Sequence, residues 1–600
     1  MINASKLTER YGLSFLLVLG FCLQGAKTPL SFCVWATPLL LLIVPLMTTN
    51  NVVNKSSPAD LRIEFLLLFL ILLSFFGSRD ISASLFWTTQ ALVYWVLWIT
   101  LKMHPKLLKQ DDLFWHVCSL LVALSALKTL WEWHQGLWSF SSGFLPINRI
   151  FNALWMTALS FGLLARWQRP GTDKKRWSNR LELLLAIGLL FIVVQGPSRS
   201  AFLASIAGVM YLGRPWLTAR RVLIGCVAGV VIALGIPPIQ TVIARHLRTN
   251  EVQGRIPIWG IAIKAIADNP LMGYGAGNFE MAYQRYAFPI ETDPIRFGRT
   301  TQFAHNEYLQ LASEYGLGTA VLFLTALAGL FWKYGGKRGT HHPEAYVALL
   351  VMAMGSLTNI VWHMPFLVFL SLVWAATLYH DSQKRISTTP TPVAGLCLVS
   401  VCLWGLLGSL ALRDHWAQNQ RWDRLARWEP WDAEAWHQLS LQQQDAGSAV
   451  AFHKKSVRLS PWQLYYRESF GRALEATQRL DDLPQALSQY HTALQLAPGR
   501  ATNALALGRI HFRMGDPSAA LSWFERARQF EPRYWETDLW MARCYRALGQ
   551  KRHAIKLLEN LQARYNREGF SPSADFSDYD RAILSYDPSV VAKQLAQWRF

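Results

Sequence analysis

A chain of 600 residues would ordinarily fold into several soluble domains, but this one is 52% hydrophobic and contains 27 Trp and 31 Phe. That composition is too apolar for a set of soluble domains and predicts a membrane protein. The formal net charge of +20 would fit nucleic-acid binding, yet the basic residues are scattered through short loops between apolar runs. This placement favours membrane topology and predicts no nucleic-acid partner.

Apolar runs near the ~20 residues that cross a bilayer recur from Tyr11 to about Ala411 and then stop. They predict about 12–13 transmembrane helices and therefore an all-α polytopic membrane domain over residues 1–411, followed by a second domain over residues 412–600. The thirteen candidate spans are 11–25, 29–48, 61–77, 81–101, 112–131, 150–166, 181–196, 200–213, 221–239, 306–332, 345–361, 364–380 and 392–411. The first span has no convincing cleavage site after it, so it is predicted to be retained.

Basic residues concentrate in alternate loops, as expected of the cytoplasmic side of a membrane. With the N-terminus in the cytoplasm, these loops contain Lys55, Arg62, Lys102, Lys106, Lys109, Arg166, Arg169, Lys174, Lys175, Arg176, Arg180, Arg214, Arg220, Arg221, Lys333, Lys337, Arg338, Lys384 and Arg385. The opposite short loops contain only Lys27, Arg79, Arg149 and Arg199. The pattern predicts a multi-pass membrane protein with a cytoplasmic N-terminus, and it places the loop 240–305 and the C-terminal domain outside the cytoplasm.

The predicted loop 240–305 is far longer than an ordinary connection, which indicates a functional segment. Apolar residues at helical spacing predict a short amphipathic helix in it, ended by Asn269-Pro270; they are Ile256, Trp259, Ile263 and Ile266. Gly273, Gly275 and Gly277 follow, and glycines at this spacing allow the backbone to approach an anion closely.

Charged residues fill the rest of the loop and lead into the tenth span. Arg285, Arg296 and Arg299 either steer an anionic donor or lipid, or form a solvated basic face. His305 precedes Asn306 and Glu307 at the end of the loop, and its unperturbed pKa near ~6.5 suits a general base. Spacing alone leaves open whether Glu307 or Glu314 orients it.

The C-terminal part contains a fixed period of 34 residues, which is the spacing of tetratricopeptide repeats. The repeated positions are Ala486, Ala520 and Ala554; Tyr490, Phe524 and Leu558; Pro498 and Pro532; Gly515 and Gly549. Units 433–466, 467–500, 501–534 and 535–568 are expected to stack into an α-solenoid. Such a solenoid either docks a protein partner or an acceptor, or spaces and stabilises the assembly.

A known family shares several short motifs with this chain in the same order. They are Ser198-Arg199-Ser200, Gly254-Arg255, Ile258-Trp259, Asn269-Pro270-Leu271, Gly273-Tyr274-Gly275, Asn278-Phe279, His305-Asn306-Glu307-Tyr308-Leu309-Gln310 and Gly316-Leu317-Gly318. Together they resemble the superfamily of O-antigen ligases, O-antigen polymerases and protein O-oligosaccharyltransferases. The resemblance implies a membrane glycosyltransferase with a GT-C-like helical fold.

Members of that superfamily transfer a glycan from undecaprenyl pyrophosphate to an acceptor hydroxyl outside the inner membrane, with inversion and without a metal or other cofactor. The resemblance therefore implies a lipid-linked glycan donor, membrane lipid, and a glycan, lipid or protein acceptor. It also implies that the membrane is a bacterial inner membrane, so that the loop 240–305 and the C-terminal domain are expected in the periplasm. Arg199 and Arg255 suit the departing pyrophosphate, because guanidinium binds phosphate oxygens bidentately. His305 suits the attacking hydroxyl, and Arg285 and Arg296 are further candidate substrate ligands.

Three activities compete within the superfamily: ligation to lipid A core, ligation to protein hydroxyls and polymerisation of repeat units. We favour transfer of the O-antigen-ligase type. The alternative from another class is a non-enzymatic scaffold or transporter that recruits partners through the repeats. His363, between two late spans, either caps a turn or reaches the same outer cavity as His305.

Overall fold

The computed structural model describes most of the chain, in ranges separated by gaps. These ranges are 4–23, 28–48, 58–108, 111–135, 149–169, 172, 176–196, 198–214, 250–291, 293, 295–335, 341–381, 393–568 and 578–599. The predicted ninth span, 221–239, lies outside the described residues, as does the start of the predicted periplasmic loop. Within these ranges every regular element is an α-helix or a short 3-10 helix, which confirms the predicted all-α class.

The apolar N-terminal part is built from long helices. Before the loop these are α1 (Ala4–Cys22), α2 (Pro29–Thr48), α3 (Pro58–Phe76), α4 (Ile81–Met103), α5 (Asp111–His134), α6 (Arg149–Gln168), α7 (Trp177–Gln195) and α8 (Arg199–Gly213). The loop contains α9 (Asn250–Asp268), α10 (Phe279–Tyr286) and α11 (Glu307–Tyr315). After it come α12 (Leu317–Gly335), α13 (Pro343–Gly355), α14 (Pro365–Asp381) and α15 (Val393–Gln418).

Several of these helices can cross a bilayer. Among the described residues, four are long and apolar enough: α4, Asp112–His134 within α5, α7 and α12. Large apolar side chains on these helices are exposed, such as Phe191 on α7 at 63% and Trp332 on α12 at 88%. Such continuous apolar faces are stable in lipid and not in water. The chain is therefore a membrane protein.

The interior of the membrane part is packed with aromatic rings. Trp35, Trp115, Trp155 and Trp374 are each almost fully buried. Trp115 stacks on Trp374 with ring centroids 6.1 Å apart, and it also covers Gly162, where an added Cβ would lie 2.6 Å from its ring. Because apolar burial does not drive association between helices in lipid, close packing of large rings on small residues does so here.

The predicted tenth span, 306–332, is wrong as one helix. It breaks at Gly316 into α11 and α12, and Gly316 has a φ of 86°. A Cβ at this position would lie 2.1 Å from the carbonyl oxygen of Leu271, and the Leu317 N–H donates to the Pro270 carbonyl oxygen at 2.7 Å. The break therefore belongs to a contact with the loop, and it separates α11 from the apolar helix that follows.

The C-terminal part is a succession of antiparallel helix pairs. It comprises α16 (Trp422–Trp428), α17 (Ala433–Leu441), α18 (Ala446–Leu459), α19 (Leu464–Ala476), α20 (Leu483–Leu496), α21 (Ala501–Arg513), α22 (Pro517–Phe530), α23 (Trp535–Ala547), α24 (Lys551–Glu568), α25 (Asp578–Leu584) and α26 (Pro588–Arg599). The pairs α17–α18, α19–α20, α21–α22 and α23–α24 coincide with the four predicted repeat units.

The repeated residues occupy the positions that the 34-residue period predicts. Ala486, Ala520 and Ala554 are fully buried. Gly508 is covered by Phe524, since a Cβ on Gly508 would lie 2.4 Å from that ring. Gly515 and Gly549 have φ values of 85° and 83° in the turns between paired helices, a conformation that glycine adopts without strain. The predicted solenoid is confirmed.

The solenoid packs against the loop, against the N-terminal end of α4 and against the C-terminal end of α15. The Ser460 hydroxyl donates to Asp80 Oδ2 at 3.0 Å, and Arg413 near the end of α15 donates to Ser82 Oγ at 2.8 Å while it pairs with Asp432 at 2.8 Å. Ile295 of the loop is 4% exposed among solenoid residues. The loop and the solenoid therefore form one continuous structure.

Candidate active site

His305 lies in a tight turn immediately before α11. Its φ is 52°, which is uncommon for a residue other than glycine and is found most often where surrounding contacts fix the backbone. Asn306 caps the helix, because its side-chain oxygen accepts hydrogen bonds from the backbone N–H groups of Tyr308 and Leu309, both at 3.1 Å. The turn therefore holds the partly buried imidazole at the N-terminus of α11.

The environment of His305 keeps its imidazole neutral. Burial lowers the pKa of His305 below its ordinary value of 6.5, and the nearby Arg255 guanidinium lowers it further. A neutral imidazole at neutral pH has a free lone pair that can accept a proton. The same interaction indicates that Arg255 and His305, 50 residues apart in the sequence, lie close enough in the fold to influence each other.

Arg255 is held in place by a backbone carbonyl. It lies on α9, partly buried, and its Nη1 donates to the carbonyl oxygen of Thr358 at 2.8 Å. Thr358 belongs to the connection between α13 and α14, which we call the 356–363 turn and which includes a 3-10 helix at Val361–His363. A guanidinium held in place is well suited to bind phosphate oxygens.

The 356–363 turn also contacts the element that carries Arg199. Ser200 Oγ accepts hydrogen bonds from Thr358 Oγ1 at 2.9 Å and from Asn359 Nδ2 at 2.5 Å. Ser200 follows Arg199 directly at the start of α8, and Ser198 caps that helix by accepting from the Ala201 N–H. The turn thus connects the N-terminus of α8, where Arg199 lies, to Arg255 on α9.

Glu307 joins the same turn to α11. Its backbone N–H is shared between the carbonyl oxygens of Ser356 at 2.9 Å and Asn359 at 3.1 Å. Its carboxylate accepts a hydrogen bond from the Trp362 N–H at 3.0 Å and lies 2.8 Å from His363 Nδ1. The backbone and the side chain of Glu307 are therefore both engaged by the 356–363 turn. The turn thus contacts Arg255 directly, and it contacts the sequence neighbours of Arg199 and His305 through Ser200 and Glu307.

His363 differs from His305 in its charge state. Its side chain is 9% exposed and lies 3.7 Å from Glu314 as well as beside Glu307, with the Trp87 and Phe303 rings packed around it at centroid distances of 5.2 and 5.7 Å. Burial opposes its protonation, but the two carboxylates outweigh burial and raise the pKa of His363 to about 10. The raised pKa favours the protonated form of His363 at neutral pH.

The carboxylates that could have oriented His305 have other partners. Glu314 accepts from Gln310 Nε2 at 2.7 Å, and Gln310 in turn accepts from the Ala304 N–H at 2.5 Å through its side-chain oxygen. Within the described ranges neither Glu307 nor Glu314 hydrogen-bonds His305. Gln310 instead holds the backbone N–H of Ala304, one residue before His305. Glu314 therefore supports the backbone turn that carries His305, through Gln310, and does not contact the imidazole by a hydrogen bond.

The three loop glycines are explained by packing. Gly273, Gly275 and Gly277 all have φ between 69° and 89°. A Cβ on Gly273 would lie 2.4 Å from the Glu314 backbone, and one on Gly277 would lie 2.2 Å from the Trp87 ring. These glycines allow the loop to press against α11 and α4, and protein atoms fill the space that a side chain would need.

The remaining loop arginines are engaged away from His305. Arg285 Nε lies 3.8 Å from Asp268 Oδ2, and Arg299 pairs with Asp293 at 2.5 Å. Arg296 pairs with Glu291 at 2.6 Å, and its Nη1 donates to the Gln529 carbonyl oxygen of the solenoid at 2.7 Å. The geometry assigns Arg296 to the contact between loop and solenoid.

Sequence reasoning missed the polar residues of the 356–363 turn. Thr358 and Asn359 belong to no recognisable motif, and Arg255 is 103 residues from Thr358 along the chain. One pattern in the sequence could have indicated them. Ser198-Arg199-Ser200 and the turn that contains His363 are predicted on the same side of the membrane, so contacts between them could have been expected. Asn278 was also missed as a connector, and its Nδ2 donates to Ser78 Oγ at 2.9 Å and Ser84 Oγ at 3.1 Å.

Comparison with known proteins bears on both parts of the chain. The search of curated proteins found no match. Among solved structures, the MamA protein is 16% identical with a TM-score of 0.24 and covers 28% of this chain and 96% of its own. A thermophilic TPR protein of Thermus thermophilus is 18% identical with a TM-score of 0.24 and covers 34% and 95%. Yeast Tom70 is 11% identical with a TM-score of 0.19 and covers 80% and 95%.

Two family models match separate segments. Residues 183–324 match the O-Antigen ligase family, and this segment includes Arg199, Arg255 and His305. Residues 512–568 match the tetratricopeptide repeat family, in agreement with the helix pairs described above. Residues 183–324 therefore form a segment of the O-antigen ligase family and residues 512–568 a tetratricopeptide-repeat segment, and the first match supports a function of the glycan-transfer or ligase type.

Proposed function

We propose that this protein transfers a glycan from undecaprenyl pyrophosphate to an acceptor hydroxyl on the periplasmic side of a bacterial inner membrane, with inversion and without a metal. The observation that carries the proposal is a neutral imidazole, His305, under the electrostatic influence of a guanidinium, Arg255, that a backbone carbonyl holds in place. Burial and Arg255 both lower the pKa of His305, and Arg255 is anchored to Thr358. The imidazole can accept the proton of the acceptor hydroxyl, and the guanidinium can bind the departing pyrophosphate.

In this proposal the arginines bind the pyrophosphate of the donor. As the bond between the anomeric carbon and the phosphate oxygen breaks, its electron pair stays on the pyrophosphate. Guanidinium groups stabilise that developing charge, and they are most effective when they are already positioned before the reaction. Arg255 is positioned by its hydrogen bond to the Thr358 carbonyl, and Arg199 occupies the N-terminus of α8, where the helix dipole also favours an anion.

In this proposal His305 is the general base that activates the acceptor hydroxyl. The acceptor hydroxyl forms the new bond to the anomeric carbon from the face opposite the pyrophosphate, and its proton passes to the imidazole. A base positioned in this way typically contributes ~10²–10⁴-fold to the rate. His363 is unsuited to the role, because its two carboxylate neighbours raise its pKa to about 10 and so keep it protonated.

The orientation in the membrane has two supports. The alternate loops rich in Lys and Arg favour a cytoplasmic N-terminus. The solenoid contacts the loop through Arg296 and contacts Asp80 through Ser460, so the loop and the solenoid belong on one side. With the loop in the periplasm, the division of the chain into a membrane domain over 1–411 and a periplasmic solenoid over 412–600 follows. The solenoid would then hold an acceptor or a protein partner beside the site.

Transfer can be measured with purified protein and an undecaprenyl-pyrophosphate glycan. Lipid A core, a protein with exposed serines and a pre-formed glycan would be supplied as separate acceptors. We expect transfer to lipid A core by the wild type, a severe loss with Arg255→Ala or His305→Ala, and normal transfer with His134→Ala, whose exposed imidazole lies at the end of α5. Transfer to protein or glycan alone would reassign the acceptor, and no transfer to any acceptor would favour a scaffold.

A further inference from the structure

A cavity lies where the loop meets the solenoid. Its volume is about 400 Å³, which falls within the ~300–1,000 Å³ usual for small-molecule sites. One wall comes from α10 and the loop after it, with Tyr283, Phe297 and Arg299; the other comes from the solenoid. The cavity is separate from the 356–363 turn, since none of its lining residues belongs to that turn.

Aromatic rings line both walls. Tyr283 and Phe297 come from the loop, and Tyr465 and Tyr579 come from the solenoid. Tyr465 is 37% exposed, so much of its surface is available to a ligand. Its hydroxyl donates to Glu280 of α10 at 3.4 Å, and this contact joins the two walls. Tyrosine offers an apolar face with a polar tip, which matches a sugar ring that has apolar C–H faces and hydroxyls at its rim.

A planar pair of charged groups is fixed between these rings. Arg500 Nε donates to Glu468 Oε1 at 3.1 Å, and its guanidinium lies 4.1 Å from the centroid of the Tyr579 ring. Glu468 is 8% exposed. Planar guanidinium and carboxylate groups can each bind two neighbouring groups at once, so vicinal sugar hydroxyls fit them.

The cavity has an excess of positive charge. Its lining contains Arg299, Arg472 and Arg500 against Glu468 as the one lining carboxylate. Arg472 donates to Ser469 Oγ at 3.0 Å, and among the described residues no carboxylate lies within ion-pair distance of it. An exposed guanidinium of this kind favours a ligand with a carboxylate of its own.

The cavity is also close to the candidate base along the chain. Thr300 lines it and precedes His305 by five residues, so the two Cα atoms are at most about 18 Å apart. A chain of a few sugar units held in the cavity can therefore extend toward His305 and the 356–363 turn.

We propose that this cavity between loop and solenoid binds a segment of an acidic oligosaccharide, with its sugar rings against Tyr465 and its carboxylate on Arg472. The identity of that saccharide as a substrate rests on the proposed function, whereas its binding does not require turnover. The solenoid thereby contributes one wall of a glycan site in addition to any surface that it offers to proteins.

Binding can be measured by calorimetry on the full-length protein in detergent. The probes are an oligogalacturonate, a neutral maltodextrin of equal length and an oligoglutamate peptide of equal charge. We expect the oligogalacturonate to bind most tightly and Arg472→Gln to weaken it about ten-fold, as loss of a charge-assisted hydrogen bond implies. Tyr465→Ala should weaken both saccharides. Arg552→Gln, an exposed arginine on α24 outside the cavity, is the matched control and should change nothing.

Each other result would overturn the inference. One such result is that oligogalacturonate does not bind, and another is that wild type and Arg472→Gln bind it with equal affinity. A third is that oligoglutamate binds as tightly as the saccharide, which would indicate a peptide-binding surface. Transfer assays on the same preparations separate the two proposals. Saccharide binding without transfer contradicts the proposed function alone, whereas active transfer without saccharide binding contradicts the cavity assignment alone.

Discussion

Glu307 and His363 form a buried ion pair, with Glu307 Oε1 2.8 Å from His363 Nδ1. The pair joins the start of α11 to the 356–363 turn, which also carries the carbonyl that anchors Arg255. His305 lies two residues before Glu307. The ion pair therefore helps to fix the relative positions of the candidate base and the candidate phosphate ligand.

Glu307→Gln should destabilise the protein and reduce transfer together. Removing one partner of a buried ion pair typically costs about 3–5 kcal/mol, because the other charge remains buried without its partner. The measurement is the thermal unfolding midpoint in detergent beside the transfer rate. Glu291→Gln, at an ion pair whose glutamate is 68% exposed, should leave both nearly unchanged. Combining Glu307→Gln with His363→Gln should restore part of the lost stability, and failure to do so would contradict the pairing.

Transfer should depend on pH through His305. The neutral imidazole is the active form, and burial together with Arg255 lowers the pKa of His305. The rate should therefore be constant around neutral pH and fall only below the ordinary value of about 6.5. Arg255→Gln removes one of the two causes, so the acid midpoint of kcat/KM should move to higher pH. Arg285→Gln should not move it, and an unchanged midpoint in Arg255→Gln would contradict the electrostatic coupling.

Gly277→Ala should destabilise the site by at least about 1–3 kcal/mol. Its φ of 77° is unfavourable for alanine, and the new Cβ would lie 2.2 Å from the Trp87 ring that packs on His363. The matched control is Gly260→Ala in α9, where an added Cβ has no heavy atom within 4 Å. This substitution should stabilise the helix by about 0.5–1 kcal/mol. Thermal unfolding of the two variants distinguishes them; equal midpoints would refute the packing account.

Glu531→Gln should loosen the loop from the solenoid. The two carboxylate oxygens accept from the backbone N–H groups of Arg296 at 3.0 Å and Phe297 at 2.8 Å, and a neutral amide cannot accept both bonds at full strength. Hydrogen exchange should become faster around residues 295–300, while Glu525→Gln on the preceding helix should leave it unaltered. Unchanged exchange in Glu531→Gln would show that other contacts hold the loop.

The repeats could be predicted because their information is local. Each unit buries the same small and large positions, such as Ala520 against its neighbours and Phe524 over Gly508, so the period is visible in the sequence. Single apolar runs likewise predicted the four helices among the described residues that are long and apolar enough to cross a membrane, although the last of them begins at Leu317 rather than at residue 306. The break at Gly316 was invisible, since the group that requires it, the Leu271 carbonyl, lies 45 residues earlier in the chain.

The candidate site was predictable only in part. His305, Arg199 and Arg255 stand in motifs, whereas their common support in the 356–363 turn depends on contacts over 103 and 158 residues. Arg296 is of a residue type that often binds anions, but here it pairs with Glu291 and donates to the Gln529 carbonyl oxygen. A sequence shows which residues carry charge, and only the fold shows which charges already have partners.

The rate of glycan transfer by His305→Ala protein tests the central claim most directly. The protein would be purified in detergent, shown to unfold at the wild-type temperature, and supplied with undecaprenyl-pyrophosphate glycan and acceptor at saturating concentrations. Loss of a positioned base predicts a rate lower by ~10²–10⁴-fold, with donor binding retained through Arg199 and Arg255. Transfer at the wild-type rate by the folded variant would contradict the assignment of His305 as the base.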